Sequence, residues 1–158
     1  MGPCRGKPLV VIPSPEPAVT DPKDPHRKSV LNEIVFPNQT NHYGTLFGGQ
    51  ALAFMDKAAF IAASRYCRRT VVTASSDQVD FHTPVRVGNV VELYSRVIKT
   101  GHTSMQVEVT MYAENLLTGE KRLCTQGLFT MVALDEHGKP TSIPPLKEPP
   151  PPDPDFQV

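Results

Sequence analysis

In the stretch "GTLFGGQALAFMDKAAFIAA", residues 44 to 63, a single carboxylate, Asp56, stands inside an apolar run that follows a pair of glycines. Between Ala51 and Ala63, eleven of thirteen residues are Ala, Leu, Phe, Met or Ile, and only Asp56 and Lys57 are polar. Such a run predicts a helix enclosed by other structure on nearly every side. A carboxylate there is costly unless it is paired, hydrogen-bonded or used, and perturbed buried carboxylates cluster at functional sites. Two plainer roles compete with general acid or base work. Asp56 could pair with a basic neighbour such as Arg65, or share a solvated stripe with Lys57.

Gly48 and Gly49 open the same helix. The segment "GTLFGGQ" has no Lys after its second glycine and no GxGxxG spacing, so it matches neither phosphate-binding loop. What remains is a helix start whose free N–H groups and dipole favour negative charge, the makings of an oxyanion hole. The competing explanation is close packing that leaves no room for a side chain. Asp56 lies seven residues beyond Gly49, which is about 10 Å along a helix axis. A water held by Asp56 is poorly placed to attack a carbonyl polarised at the start of that helix. If both groups serve one reaction they come from different subunits, and a two-fold dimer supplies two such composite sites.

The elements that must position these groups follow from the flanking pattern. "KSVLNEIVF" reads as a strand ended by Pro37, and "PNQTNHYG" clusters turn formers before the helix. Arg65, Arg68 and Arg69 suit the helix exit, where positive charge complements the dipole. Four strands follow: "TVVTASSDQVDF", then a turn at "HTPVRVGN"; "VVELYSRVIKT", then a turn at "GHT"; "SMQVEVTMYAEN", then the loop "LLTGEK"; and "RLCTQGLFTMVAL", closed by "DEHGKP". In the third, Met105, Val107, Val109 and Met111 share one face and Gln106, Glu108, Thr110 and Tyr112 the other. Hairpin-length connections predict an antiparallel sheet with one helix against it, an α+β fold. With one helix available, a doubly wound sheet is excluded.

At 158 residues the chain is one domain's worth. Fifteen of its 17 prolines lie outside residues 29 to 138, seven before Ser29 and eight from Pro140 onward. The expected division is a Pro-rich arm over 1–28, a folded domain over 29–145 and a Pro-rich tail over 146–158, with arm and tail extended and weakly packed. Acidic and basic residues balance at 16 each, which argues against nucleic acid as a partner. No apolar run approaches the length of a membrane span. The patch Leu9 to Ile12 is flanked by Pro8 and Pro13, too short for a signal peptide, and Gly6 stands where a myristoylation signal takes Ser or Thr. Cys4, Cys67 and Cys124 form no CxxC pair, and His26, His42, His82, His102 and His137 are dispersed. Reduced thiols, a cytoplasmic setting and no bound metal are the expectation.

Four blocks, "TNHYGTLFGGQALAFMDKAA", "VVTASSDQVDFHTPVRVGN", "GHTSMQVEV" and "FTMVALDEHGKPTSIP", in that order and spacing, resemble the hot-dog-fold acyl-CoA thioesterases. The group in question holds bacterial broad-specificity acyl-CoA hydrolases and the mammalian cytosolic, brain-type enzyme. The likeness covers about Ser29 to Pro145. It implies a five- to six-stranded antiparallel sheet wrapped around one long helix, and hydrolysis of acyl-CoA to a free acid and CoA. It implies no cofactor beyond the CoA of the substrate. It also implies self-association as a homodimer or as a homohexamer built as a trimer of dimers.

The resemblance further implies residue roles. The helix carboxylate that acts as general base or nucleophile corresponds to Asp56, and an asparagine in the preceding turn, completing the site across the dimer interface, to Asn41. Gly48 or Gly49 would supply the N–H that polarises the thioester carbonyl. Asn41 could orient water or bind the carbonyl, or simply use its side chain within its own turn. Gly101, His102, Thr103 and Ser104 would meet the pantetheine and phosphates of CoA, a plain hairpin turn being the alternative, and Arg86 and Lys99 are candidates for the phosphates. Phe54, Met55 and Phe60 could line the acyl pocket, with a core role as the plainer default. Thr45 stands where many members carry Asp or Asn, Asn89 replaces a more usual Asp, and the chain has one repeat where the mammalian form has two. Two other readings remain: a non-catalytic acyl-CoA-binding protein, or an enoyl-thioester hydratase or dehydratase on the same fold. The second would pair a carboxylate with a histidine, for which His42 is nearest.

Overall fold

The structure, a computed structural model, describes residues 28–146 and Phe156. The Pro-rich arm and tail, the Leu9 to Ile12 patch and Cys4 lie outside the described residues, apart from Lys28, Leu146 and Phe156. The elements run β1 (Ser29–Ile34), a short 3-10 turn (Pro37–Gln39), α1 (Gly48–Cys67), β2 (Thr70–Phe81), β3 (Val90–Thr100), β4 (Ser104–Glu114) and β5 (Lys121–Leu134). All five strands form one antiparallel sheet in the order β1-β3-β4-β5-β2, and α1 packs against every one of them. The expected α+β arrangement, a sheet around one long helix, is present with five strands.

Composition explains the fit of helix to sheet. The inward face of α1 is largely alanine, at Ala51, Ala58, Ala59, Ala62 and Ala63, with Phe54 and Met55 between them, all buried. Alanine favours helix and lets the backbone come close to the strands. The strands answer with buried Val91, Leu93 and Val97 from β3, Val107, Val109 and Met111 from β4, and Phe129 and Met131 from β5. Gly127 of β5 marks the tightest approach. A Cβ there would stand 3.1 Å from Met55 Cε and 3.1 Å from Val79 Cγ2. The helix ends at Arg68, whose left-handed backbone (φ 53°) lets its N–H donate to the Ser64 carbonyl at 2.8 Å.

One expectation needs correction, and two features add to the others. First, β2 and β3 are not a hairpin: β2 pairs with β5 at one edge of the sheet, and β3 lies between β1 and β4. The segment 82–89 is a crossover from edge to interior, and its length alone could not distinguish the two. Its backbone ties down its neighbours, with Leu46 N–H donating to the Val85 carbonyl at 2.7 Å, Val87 N–H to Gly44 at 3.1 Å and Gly88 N–H to Val35 at 2.9 Å. Second, α1 is not enclosed on every side. Gly49, Ala53, Lys57 and Phe60 are exposed, a stripe at helical spacing that no strand among the described residues covers. Third, the polar face of β4 is partly buried: Glu108 is 6% exposed and pairs with Arg96 on β3, and Gln126, opposite Thr110 on β5, is fully buried.

Two outcomes follow from this packing. Gly127→Val should lower stability by about 1–3 kcal/mol through overpacking against Met55 and Val79, read as an earlier midpoint in urea. Burial holds the Cys124 thiol above its ordinary pKa, so alkylation of the native protein near about pH 8 should leave Cys124 unmodified until the chain unfolds, as mass spectrometry would show.

Candidate active site

Asp56 lies on the open stripe of α1, half-buried where the helix meets β2. There it accepts a hydrogen bond on Oδ1 from the Thr73 hydroxyl at 2.5 Å, within the range of a charge-assisted O–H···O⁻ contact. β2 is bulged next to this residue, between Thr73 and Ser75, and again between Asp77 and Asp80, where Gln78 takes a positive φ of 51°. Bulges at a sheet edge bend the strand and re-aim its side chains. Of the plainer roles for Asp56, pairing with Arg65 does not hold, while the stripe it shares with Lys57 is open. Arg65 instead donates to Ser29 Oγ at 3.3 Å, and Lys57 reaches Glu33 on β1 at 2.9 Å.

A groove of about 290 Å3 runs along this stripe, lined by Gly49, Leu52, Ala53, Asp56, Thr73, Ser76 and Phe129. Gly49 at the helix start and Asp56 two turns on therefore edge the same groove, still separated along the axis as expected. The start of α1 carries no cap: Phe47 occupies the N-cap position without a side-chain hydrogen bond. The first intrahelical bond of the turn is Ala51 N–H to the Phe47 carbonyl at 2.9 Å. The amides of Gly48, Gly49 and Gln50 have no acceptor inside the helix. Close packing does not explain the glycines. A Cβ on Gly49 would meet nothing within 4 Å, and one on Gly48 would make ordinary contact with the Phe81 ring at 3.7 Å. A second cavity of about 430 Å3 opens beside Gly48, walled by Leu46, Ala51, Phe81, Val85 and Met111, with His82, Thr83 and Thr125 as polar members.

Asn41 sits half-buried in the turn before α1, and its side chain is engaged there. Oδ1 accepts the N–H groups of Tyr43 at 3.0 Å and Thr45 at 3.1 Å, while Nδ2 donates to Thr45 Oγ1 at 2.9 Å. Arg86 is brought to this turn, where its backbone bridges Thr45 and its side chain is exposed. It does not join Lys99. Lys99, Gly101 and Ser104 instead line a groove of about 220 Å3 with Thr100, Met105, Gln106 and Thr130. His102 and Thr103 lie at the tip of that hairpin, where their carbonyls accept Ile143 N–H at 3.1 Å and Ala133 N–H at 2.9 Å. The hairpin-turn role is thus present together with the groove. Phe54 and Met55 are core residues, whereas Phe60 is 47% exposed on the open stripe.

Sequence reasoning missed Thr73. The hydroxyl-rich run "TASS" in β2 was the available signal, but threonine in a strand is ordinary. Among the described residues no group of three or more His, Cys, Asp or Glu could hold a metal ion, and no helix is long and apolar enough to cross a membrane.

Residues 43–120 match the thioesterase superfamily model. An uncharacterized acyl-CoA thioester hydrolase of Bacillus subtilis is 45% identical over 117 residues, 74% of this chain and 68% of that one. A solved apo-hexameric acyl-CoA thioesterase is 46% identical with a TM-score of 0.72, over 75% of this chain and 76% of that one. The acyl-CoA hydrolase of Staphylococcus aureus, solved with butyryl coenzyme A, coenzyme A and coenzyme A disulfide, is 37% identical with a TM-score of 0.71, over 75% and 72%. That enzyme has also been solved with one asparagine, one aspartate or one threonine changed to alanine, residues 15 and then 17 positions apart. Asn41, Asp56 and Thr73 have the same separations.

Proposed function

The chain belongs to the acyl-CoA thioester hydrolases of the thioesterase superfamily, and on that footing we propose that its domain, 29–145, hydrolyses acyl-CoA with Asp56 as the general base or nucleophile. The observation that carries this is the placement of Asp56: half-buried, hydrogen-bonded by Thr73, in an open groove where the helix meets the edge strand. With Oδ1 occupied by Thr73, Oδ2 is free to receive a proton from water. As a base, Asp56 takes that proton while the hydroxide oxygen bonds to the thioester carbon. The carbonyl electrons move onto oxygen, held by helix-start N–H groups of Gly48 or Gly49. Collapse of the adduct breaks the C–S bond, and the CoA thiolate takes the proton back from Asp56. As a nucleophile, Asp56 would instead bond to the thioester carbon and expel the CoA thiolate, and water would cleave the resulting acid anhydride to free acid and the Asp56 carboxylate, its proton passing to the thiolate.

A homo-oligomer completes this site. Among the described residues β2 is hydrogen-bonded on one side only, by β5, and its open edge, with the exposed stripe of α1 beside it, is the surface a second copy would cover. Relatives include hexamers. In such an assembly Asn41 and the Gly48–Gly49 start of one subunit serve a carbonyl attacked from Asp56 and Thr73 of the next, which removes the axial separation between the two halves. The cavity beside Gly48 offers apolar room for an acyl chain, and the groove at Lys99, Gly101 and Ser104 offers polar room for CoA, with His102 and Thr103 at the tip of the same hairpin; Arg86, apart from that groove at the 41–45 turn, meets CoA only if it reaches the phosphates from there. The hydratase reading finds no support in His42, which is stacked on Tyr43 with ring centroids 3.9 Å apart and has no carboxylate partner among the described residues.

The test is free thiol release from acyl-CoAs ranging from acetyl to palmitoyl, with wild type and Asp56→Ala compared at equal oligomer size. The expected result is hydrolysis that falls by about 10²- to 10⁴-fold in Asp56→Ala. CoA esters that bind without release of thiol would make the protein a binder, and full activity in Asp56→Ala would remove the carboxylate from the mechanism.

A further inference from the structure

We propose that Thr45 is a positioning residue that locks the Asn41 amide so that it faces the substrate only as a hydrogen-bond donor. The inference rests on the thioesterase reading above. The turn 41–45 is closed by its own backbone, with Asn41 N–H donating to the Thr45 carbonyl at 2.9 Å and Gly44 N–H to the Asn41 carbonyl at 3.0 Å, Gly44 supplying the positive φ of 76°. It is then held from both flanks, by bridges from Thr40 to Leu46 and from Thr45 to Arg86. Within this frame the Asn41 amide has one acceptable orientation. Its oxygen accepts two backbone N–H groups, from Tyr43 and Thr45, and turning the amide over would set an NH2 against both donors.

That orientation decides what Thr45 does. The hydroxyl lies 2.9 Å from Nδ2 and 3.1 Å from Oδ1. Since both lone pairs of Oδ1 are taken by backbone N–H groups, Thr45 Oγ1 is the acceptor for one Nδ2 proton. The other Nδ2 proton has no acceptor among the described residues. Asn41 is therefore left with one outward N–H and no outward acceptor. It cannot take a proton from water. It can stabilise a carbonyl oxygen as negative charge grows on it, alongside the helix-start amides. Remove the Thr45 hydroxyl, and the inner Nδ2 proton loses its partner; the amide, still hinged at Oδ1 on the two backbone donors, then tilts off the line of the carbonyl.

The experiment measures kcat and KM for thiol release in wild type, Thr45→Val, Thr45→Ser, Asn41→Ala, Asn41→Asp and the double variant Asn41→Ala/Thr45→Val, all checked for the same oligomer size and melting temperature. Thr45→Val should lower kcat about tenfold with KM within about twofold, roughly the worth of one hydrogen bond. Thr45→Ser should restore most of kcat. In the Asn41→Ala background the Thr45→Val change should cost nothing further, because Thr45 acts through Asn41. Asn41→Asp, which can accept the same two backbone N–H groups but donates nothing outward, should lose as much as Asn41→Ala. Wild-type hydrolysis with full kcat in Thr45→Val, or an equal loss from Thr45→Val with and without Asn41, overturns the role of Thr45. Activity retained in Asn41→Asp overturns the donor assignment. Absence of thiol release from wild type would overturn the thioesterase reading and this inference together.

Discussion

Everything about the site depends on which side of α1 is buried. Phe54, Met55, Ala58 and Ala62 must face the sheet to leave water, and at 3.6 residues per turn that choice forces Gly49, Ala53, Asp56 and Phe60 toward the side that β2 leaves open. The hydrophobic effect acting on four or five side chains thereby sets the direction of a carboxylate that contributes nothing to the core. Gly127 sets the distance, because only a residue without Cβ lets Met55 seat between β5 and Val79. The carboxylate is held at that height by the packing beneath it and capped laterally by Thr73.

The second half of the site is fixed by a different kind of force. Residues 41–47 bury little apolar surface, and their position comes from backbone hydrogen bonds to Gln39 on one side and to Val85 and Val87 on the other. The crossover 82–89 thus has a structural duty beyond linking an edge strand to an inner one. It is the clamp on the turn that leads into the helix start. Its other grip is on the end of β1, where Val35 N–H donates to the Asn89 carbonyl at 3.0 Å. Asn89 works there through its main chain, so the side chain at that position is of little consequence for the clamp.

Much of this was legible in the chain. The apolar run marked the helix and its lone carboxylate the candidate site, and the alternation of Met105, Val107, Val109 and Met111 marked a strand facing the core. What stayed hidden was long-range. Nothing local in "HTPVRVGN" distinguishes a hairpin from a crossover, so the partner of β2 was unreadable, and with it the meeting of Thr73 and Asp56 across a gap of 17 residues. The open stripe on α1 was unreadable for a related reason. An alanine looks the same in sequence whether it meets a strand of its own chain, as Ala58 does, or is exposed, as Ala53 is. The pairing of Arg96 with Glu108 on the outer face of the sheet likewise depended on register.

The order of elements along the chain has a consequence for synthesis. α1 is complete at Cys67, yet the strands that cover its apolar side, β3, β4 and β5, are not complete until Leu134. At about 5–20 residues per second the ribosome needs about 3–13 s to supply them. For that interval the nascent chain carries an alanine- and phenylalanine-rich helix without the strands that cover most of it, while β1 waits for β3 and β2 waits for β5. Only β3, β4 and β5 form hairpins between neighbours in the chain, so they are the natural seed. The edge strand that carries Thr73 can join only after the last residues have emerged, and the carboxylate therefore acquires its hydroxyl partner at the end of folding.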